Sequence, residues 1–298
     1  VHTLSLGQGD IPAHRYGFGP GDNPVFQGMY KSEGRKVGSA LQAAELLVDG
    51  LCDIVFSYGG GLHHGGPSLG SGFCVFNDAA VAIHWLLGQG QRVAYIDVDV
   101  HHGDGVQAAF YDSDRVLTIS LHQDGHTLFP GTGFVGESGA GDGQGYSVNM
   151  PLPPHTDDET YLWAFGQVVP PLVKRFSPDI VVTQLGVDTH YRDPLASLAL
   201  TTLGQQQLFR ELESLAPRWL ALGGGGYDIG VVPRAWTLAF GVMAGRSWPD
   251  ELPPDYRANY GGTRLRDRDV PSLDDRLRRA NREHVARVVE AIYRQHNL

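Results

Sequence analysis

Short apolar runs that each stop at Gly, Asp or His, followed by segments with helical spacing, recur along this chain. Runs that are apolar on both faces suit strands covered by helices, and the helical segments suit the crossovers that parallel strands require. This pattern restricts the chain to an α/β class, three layers deep with a mainly parallel sheet. Strands are expected over 53–57, 92–98, 116–121, 179–185 and 219–222, and helices over 37–48, 78–87, 157–175, 203–215 and 232–244. Thr156 with Glu159 reads as a capping box for the third helix, and Pro170 with Pro171 is expected to kink or split its second half.

No internal repeat or low-complexity tract forces a boundary, so residues 1–298 are expected to form a single domain with its core over 17–245. Beyond Gly245 the composition shifts to Pro, Asp and Arg, giving an irregular segment over 246–270 and then a last helix. Ser272 and Asp275 resemble its capping box, and Leu277, Ala280, His284, Val288 and Ile292 line up as a docking face. Arg276, Arg278, Arg279 and Arg282 lie opposite and are expected to be a solvated face.

Lys plus Arg number 23 against 33 Asp plus Glu, a net charge of −10 that repels phosphate backbones and anionic lipid. No direct nucleic-acid partner and no membrane partner is expected. The longest apolar stretch, 79–87, is broken by His84 and falls short of the roughly 20 residues that span a bilayer. Cys52 and Cys74 form no CxxC pair, which excludes a disulfide framework and a cysteine zinc site. Both read as small buried hydrophobes in a reducing, cytoplasmic setting.

The chemistry concentrates where the apolar runs end. Residues 92–98 lead into Asp97-Val98-Asp99-Val100-His101-His102-Gly103-Asp104-Gly105, in which Asp97, Asp99 and His101 recur every second residue. On an extended strand these side chains share a face, at the carboxyl end of a buried parallel strand where open α/β sheets bind ligands. Charge there is costly unless compensated, so a metal-ligand arrangement is expected. A second run delivers Asp188 to the same edge, where it completes the ligand set or caps a turn. Two oxygen ligands and one nitrogen suit Zn²⁺ with an open fourth position, and also accept Fe²⁺ or Mn²⁺.

A third run empties into Gly59-Gly60-Gly61-Leu62-His63-His64-Gly65-Gly66. Asp97 and Asp104 are available to fix the imidazole tautomers, and a His–Asp pair beside an open metal site is general acid–base equipment. A fourth run leads through Gly223-Gly224-Gly225-Gly226 to Tyr227, whose hydroxyl can donate to a developing oxyanion. A phosphate-cradling reading of these glycines fails because Asp228 occupies the last Gly position of GxGxxG. Gly66-Pro67-Ser68-Leu69-Gly70 matches the G-x-S-x-G elbow of serine hydrolases, yet lacks the strand directly before the serine and the helix directly after it.

Together, Gly61-Leu62-His63-His64, Ser71-Gly72-Phe73-Cys74-Val75-Phe76-Asn77-Asp78, the Asp97–Gly105 run, Phe129-Pro130-Gly131-Thr132-Gly133 and Gly223–Tyr227 resemble the metal-dependent histone deacetylase family. Asp22-Asn23-Pro24 and Gln184-Leu185-Gly186-Val187-Asp188-Thr189-His190-Tyr191-Arg192-Asp193-Pro194 look most like its bacterial branch, the acetoin utilisation deacetylases. The resemblance implies the arginase/deacetylase fold with about eight strands. It implies Zn²⁺, or Fe²⁺, on Asp99, His101 and Asp188. Tyr227 would polarise an acetamide carbonyl, and His64, paired with Asp104, would take a proton from the attacking water. His63, paired with Asp97, would tune charge or protonate the leaving amine.

By the same resemblance, Gly72, Phe73 and Phe129 wall an acyl-lysine tunnel with Leu195 at its rim, Gly225 borders the substrate, and Asp22 grips the substrate backbone outside. A structural K⁺ would be held by Asp97, the main-chain carbonyls of Asp99, His101 and Leu121, and the Ser120 hydroxyl, with a second monovalent site near Phe110 and Val116. The implied activity is deacetylation of N-acetyl-lysine in proteins, the alternative substrates being acetylpolyamines or another small acetylated amine. A binuclear Mn²⁺ ureohydrolase needs more bridging carboxylates than Asp188 and the following His190 provide. A non-catalytic binding module needs neither an oxyanion donor nor a base. Family members also carry an N-terminal portion, including the first strand, before the stretch that 1–17 resembles.

Overall fold

The computed structural model describes residues 1–8, 11–268 and 272–297. Six strands are present among them: β1 Ile54–Ser57, β2 Val93–Asp97, β3 Val116–Gln123, β4 Ser147–Leu152, β5 Ile180–Gln184 and β6 Trp219–Leu222. All neighbours pair in parallel, in the order β1-β6-β5-β2-β3-β4. The α/β class expected from the apolar runs is therefore present, with six strands described where about eight were implied. β4 is absent from the sequence expectation because Asn149 and Pro151 interrupt its apolar pattern. Proline is tolerated there because β4 is an edge strand, where one side of the ladder needs no donor.

Helices cover both faces. α1 His2–Ser5, α2 Met29–Val48, α3 Asp78–Gly88 and α4 Asp104–Ala109 precede α5 Asp158–Phe176, α6 Thr202–Leu215, α7 Val232–Met243, α8 Pro254–Tyr260 and α9 Asp275–His296. Strand alternation divides the core into two. Ala94 and Ile96 of β2 pack with α5, α6, α7 and α9, whereas Val93 and Tyr95 pack with α2, α3 and α4. α2 begins two turns before the expected 37, since its first turns carry Lys31, Gly34 and Arg35 rather than an apolar stripe. Among the described residues no helix is long and apolar enough to cross a membrane.

Several expected details change. The N-cap of α5 is Asp157, which accepts from Thr160 N at 3.0 Å, while the Thr156 hydroxyl turns back to Pro153 O at 2.7 Å. α5 also runs unbroken through Pro170 and Pro171. Pro171 has no N–H for the carbonyl four residues earlier, that of Gln167, and this orphan accepts instead from the Tyr293 hydroxyl of α9 at 2.9 Å.

α9 is capped by Asp274, not by Ser272, through Arg276 N at 2.8 Å and Leu277 N at 3.1 Å. Its buried face is Asn281, Val285, Val288, Val289, Ile292 and His296. Leu277 and Ala280 stay exposed because the buried face begins only at Asn281, whose amide donates to Pro154 O at 2.9 Å. The arginine face is not uniformly solvated: Arg278 pairs with Asp157 at 3.0 Å and the Arg282 guanidinium lies 3.6 Å over the Trp163 ring. In the 246–270 segment α8 is helical, and 269–270 lie outside the described residues.

Removing the Tyr293 hydroxyl tests how α5 tolerates its prolines. Tyr293→Phe should lower unfolding stability by about 1 kcal/mol in urea titrations. The loss should shrink in a Pro171→Ala background, where the helix supplies its own donor to Gln167.

Candidate active site and metal centre

The register brings the chemistry together. Asp97, the last residue of β2, lies between Ser120 of β3 and Gln184 of β5, so the loops that follow these strands leave from one edge. Because β2 stops at Asp97, Asp99 and His101 sit in the following loop rather than on the strand itself. With Asp188, beyond β5, they form the one group of His, Cys, Asp or Glu side chains among the described residues that could hold a metal ion, their ligand atoms all within 4.8 Å of one another.

This group is short of positive charge. Asp99 and Asp188 are fully buried, and His101 Nδ1 lies 3.1 Å from Asp99 Oδ1 and 3.2 Å from Asp188 Oδ2. Burial alone would lower the His101 pKa, but the two carboxylates outweigh it and raise it to about 10. Burial and the neighbouring Asp99 charge raise Asp188 to about 7. Asp188 Oδ2 has no hydrogen-bond partner, an orphaned buried acceptor aimed at the other two ligands. Two carboxylate oxygens, one of them the unsatisfied acceptor, and one imidazole nitrogen fit a divalent cation.

The surroundings hold the carboxylates in place. Asp99 Oδ2 accepts from Gln184 Nε2 at 2.6 Å and from Gly225 N at 2.8 Å, and Asp188 Oδ1 accepts from Val100 N at 2.9 Å. A Cβ on Gly225 would collide with Asp188 Oδ2, so the close approach of this backbone requires glycine. The supporting role of Gln184 is missed by motif reading; its one signal is a polar residue closing a wholly buried strand.

The two adjacent histidines differ in state. His63 Nδ1 pairs with Asp97 Oδ2 at 2.8 Å, and Tyr95 Oη donates to the same oxygen at 2.7 Å. Burial opposes the charge on His63, yet Asp97 and Asp99 raise its pKa to about 9. His64 Nδ1 pairs with Asp104 Oδ1 at 2.6 Å, but burial and the charge on His63 lower it to about 4. The loop carrying both is tied down by α3. Asp78 accepts from Gly61 N and Leu62 N at 2.9 and 2.8 Å, and Asn77 donates to His63 O and Gly65 O at 3.2 and 3.0 Å. Asp78, Asn77 and Tyr95 are further supports that sequence reasoning did not single out.

His64, His101 and Tyr227 line one cavity of about 220 Å³. Its walls include Gly72, Phe73 and Phe129, and Leu195 and Asp22 also border it. At Gly72, φ is +50° and a Cβ would collide with the His64 ring. Phe73 holds φ +65°, a left-handed conformation that costs a bulky residue about 1–2 kcal/mol and sets its ring edge-on to Tyr227 at 5.8 Å. Burial and the Asp99 and Asp188 charges push the Tyr227 phenol well above its ordinary value, so it remains a proton donor. A larger apolar groove of about 760 Å³ runs between α2 and α3, but it contains none of the ligand residues.

Around Asp97, Ser120 Oγ meets His122 Nδ1 at 2.8 Å and His122 Nε2 meets Gly133 O at 2.9 Å. Phe110 and Val116 are buried in the core on the α2–α4 face. Cys74 is buried and burial raises its thiol to about 12, whereas Cys52 is only half-buried.

The sheet and the acidic–histidine edge define an α/β protein of the arginase/deacetylase class. Two solved structures, an HDAC homolog complexed with SAHA and an HDAC homolog from Aquifex aeolicus, each superpose with a TM-score of 0.86 at 31% identity, covering 95% of this chain and 81% of theirs. The chain belongs to the histone deacetylase family: the Histone deacetylase domain matches residues 5–243. Similar relatives include the acetoin utilization protein AcuC of Bacillus subtilis, 44% identical over 260 residues that cover 84% of this chain and 67% of that protein. AcuC of Staphylococcus xylosus is 42% identical, covering 82% and 65%, and histone deacetylase clr6 of Schizosaccharomyces pombe 40%, covering 83% and 62%. The chain thus spans about two thirds of the length of these relatives.

Elemental analysis separates ligands from neighbours. Asp99→Ala and His101→Ala should each reduce bound divalent metal per chain to background, whereas Tyr227→Phe should leave it at the wild-type level.

Proposed function

We propose that this chain hydrolyses the acetamide of N-acetyl-lysine in proteins, with Zn²⁺ held by Asp99, His101 and Asp188. The observation that carries the reading is one apolar-walled cavity bordered by a metal-ligand group, a neutral carboxylate-paired histidine and a protonated phenol. When bound, the divalent ion, Zn²⁺ or Fe²⁺, supplies Lewis-acid polarisation of the acetamide carbonyl and of the attacking water.

The chain's own groups divide the remaining work. His64 is neutral at pH 7, and Asp104 holds the proton on its Nδ1, which leaves Nε2 to accept the proton of the attacking water. His63, paired with Asp97, tunes the charge beside His64 or protonates the leaving amine as its C–N bond breaks. The Tyr227 hydroxyl donates to the carbonyl oxygen as it becomes an oxyanion. Gly72, Phe73 and Phe129 make an apolar wall that suits a lysine stem, with Leu195 at its rim and Asp22 at its border to grip the substrate backbone.

A structural K⁺ is part of this reading. The His122 Nε2–H donates to Gly133 O, so His122 Nδ1 accepts the Ser120 proton and leaves the Ser120 oxygen lone pairs for a cation beside Asp97. The reaction belongs in the cytoplasm, in keeping with two unpaired cysteines.

The test starts from metal-stripped protein and a fluorogenic acetyl-lysine peptide. One equivalent of Zn²⁺ or Fe²⁺ should restore turnover, and a hydroxamate should block it. Tyr227→Phe should lower kcat on the order of 10²–10³-fold with metal retained. Absence of turnover with metal bound, or a Tyr227→Phe variant at full activity, would overturn the reading. Turnover of N-acetylputrescine without turnover of the peptide would transfer the same chemistry to small acetylated amines.

A further inference from the structure

We infer that Asp267, which lies beyond the family domain that ends at residue 243, is a positioning residue: one carboxylate that fixes the Asp188 loop against the Tyr227 loop. The inference rests on the proposed deacetylase reading for its kinetic consequences, and on geometry alone for its structural ones.

Asp267 Oδ2 lies 2.7 Å from His190 Nε2 and accepts from Thr202 N at 2.9 Å and Thr202 Oγ1 at 3.0 Å. Its other oxygen accepts from Arg234 Nη1 at 2.9 Å. His190 is two residues after Asp188 and is 1% exposed. Its Nδ1 accepts from Arg192 N at 3.2 Å, so Nε2 carries the proton that Asp267 receives in hydrogen bonding.

Arg234 stands on α7 and donates through Nε to Gly230 O at 2.7 Å, which anchors the loop that carries Tyr227. The two loops also meet directly. Asp193 Oδ2 accepts from Tyr227 N at 2.8 Å, and Arg192 Nη2 pairs with Asp228 at 3.0 Å. Asp267 locks this junction from behind: one of its oxygens serves the metal-ligand side and the other the phenol side.

Asn cannot replace it. Every partner of Asp267 named above is a donor, and an amide offers one acceptor oxygen and an NH₂ that would face donors. A slip between the loops changes where the Tyr227 hydroxyl sits relative to the ligand group, and a displacement near 1 Å costs on the order of tenfold or more in rate.

The experiment compares Asp267→Asn with Asp250→Asn in the metal-loaded protein. Asp250 ties the same C-terminal segment through Arg266 and Arg268, at 3.6 and 3.0 Å, without touching either loop. Asp267→Asn should lower kcat about tenfold while KM for the acetyl-lysine peptide stays within about twofold, and Asp250→Asn should lower Tm without lowering kcat. Combined with Tyr227→Phe, Asp267→Asn should cost nothing further, because the group it positions is gone. Multiplying losses in that double variant, an equal kcat loss in Asp250→Asn, or an unchanged kcat in Asp267→Asn would each overturn the inference.

Hydrogen exchange decides it without turnover. In Asp267→Asn, amides over 186–195 and 223–231 should lose protection together while those in Asp250→Asn keep it. Unchanged protection would overturn the clamp even in a protein that deacetylates nothing tested, and loss of protection with no wild-type turnover would keep the clamp and remove the proposed function.

Discussion

Two buried carboxylates, Asp99 and Asp188, share one small space with a single imidazole, and the rest of the site is built around that charge. Removing carboxylates from water costs several kcal/mol each unless they are paired and hydrogen-bonded. The protein meets this cost with backbone N–H groups of Val100, His101 and Gly225 and with the Gln184 amide, all supplied by residues at or just beyond strand ends. Parallel strands in register deliver those donors to one edge, which is why the sheet order matters to the chemistry. One acceptor, Asp188 Oδ2, is left over. With Asp99 and His101 it makes a group that could hold a divalent cation.

The histidine pair shows how surroundings give two roles to one residue type. His63 lies between two fully buried carboxylates, so its proton is stabilised more strongly than burial disfavours it. His64 has one carboxylate, Asp104, which is 31% exposed and therefore screened by water, and it has a charged imidazole next to it. A charged histidine thus keeps its neighbour neutral.

Strands built mostly of apolar residues were legible in the sequence. β6 matches its expected limits, and β2, β3 and β5 fall within two residues of theirs, because apart from Thr118 and Ser120 of β3 their residues are apolar or are polar groups at the carboxyl end. Local spacing also brought His63, His64, Asp99, His101 and Tyr227 into view as glycine-flanked or alternating motifs. What stayed hidden depends on partners far along the chain. β4 is an edge strand that proline does not forbid, Gln184 looks like an ordinary polar residue, and the N-caps at Asp157 and Asp274 compete with neighbouring Thr156 and Ser272 that satisfy the same pattern. Capping rules rank residue types, and tertiary contacts choose between adjacent candidates: Arg278 draws Asp157 into place from 121 residues away.

The segment after residue 243 illustrates the same principle at larger scale. Read alone, it is a Pro-, Asp- and Arg-rich stretch and an amphipathic helix, with nothing that marks a role in the site. In the fold it supplies what upstream elements lack. Tyr293 gives α5 the donor that Pro171 removed, Arg278 binds the carboxylate that caps α5, and Asp267 gathers the donors of His190, Thr202 and Arg234. His190 Nε2 and the Thr202 backbone N–H are buried and would lose this partner if the segment were elsewhere, a penalty of about 1–3 kcal/mol apiece. Hydrogen-bond demand therefore fixes the path of this segment more tightly than apolar patterning does, and it ties the segment to the loop that follows Asp188 and to the start of α7.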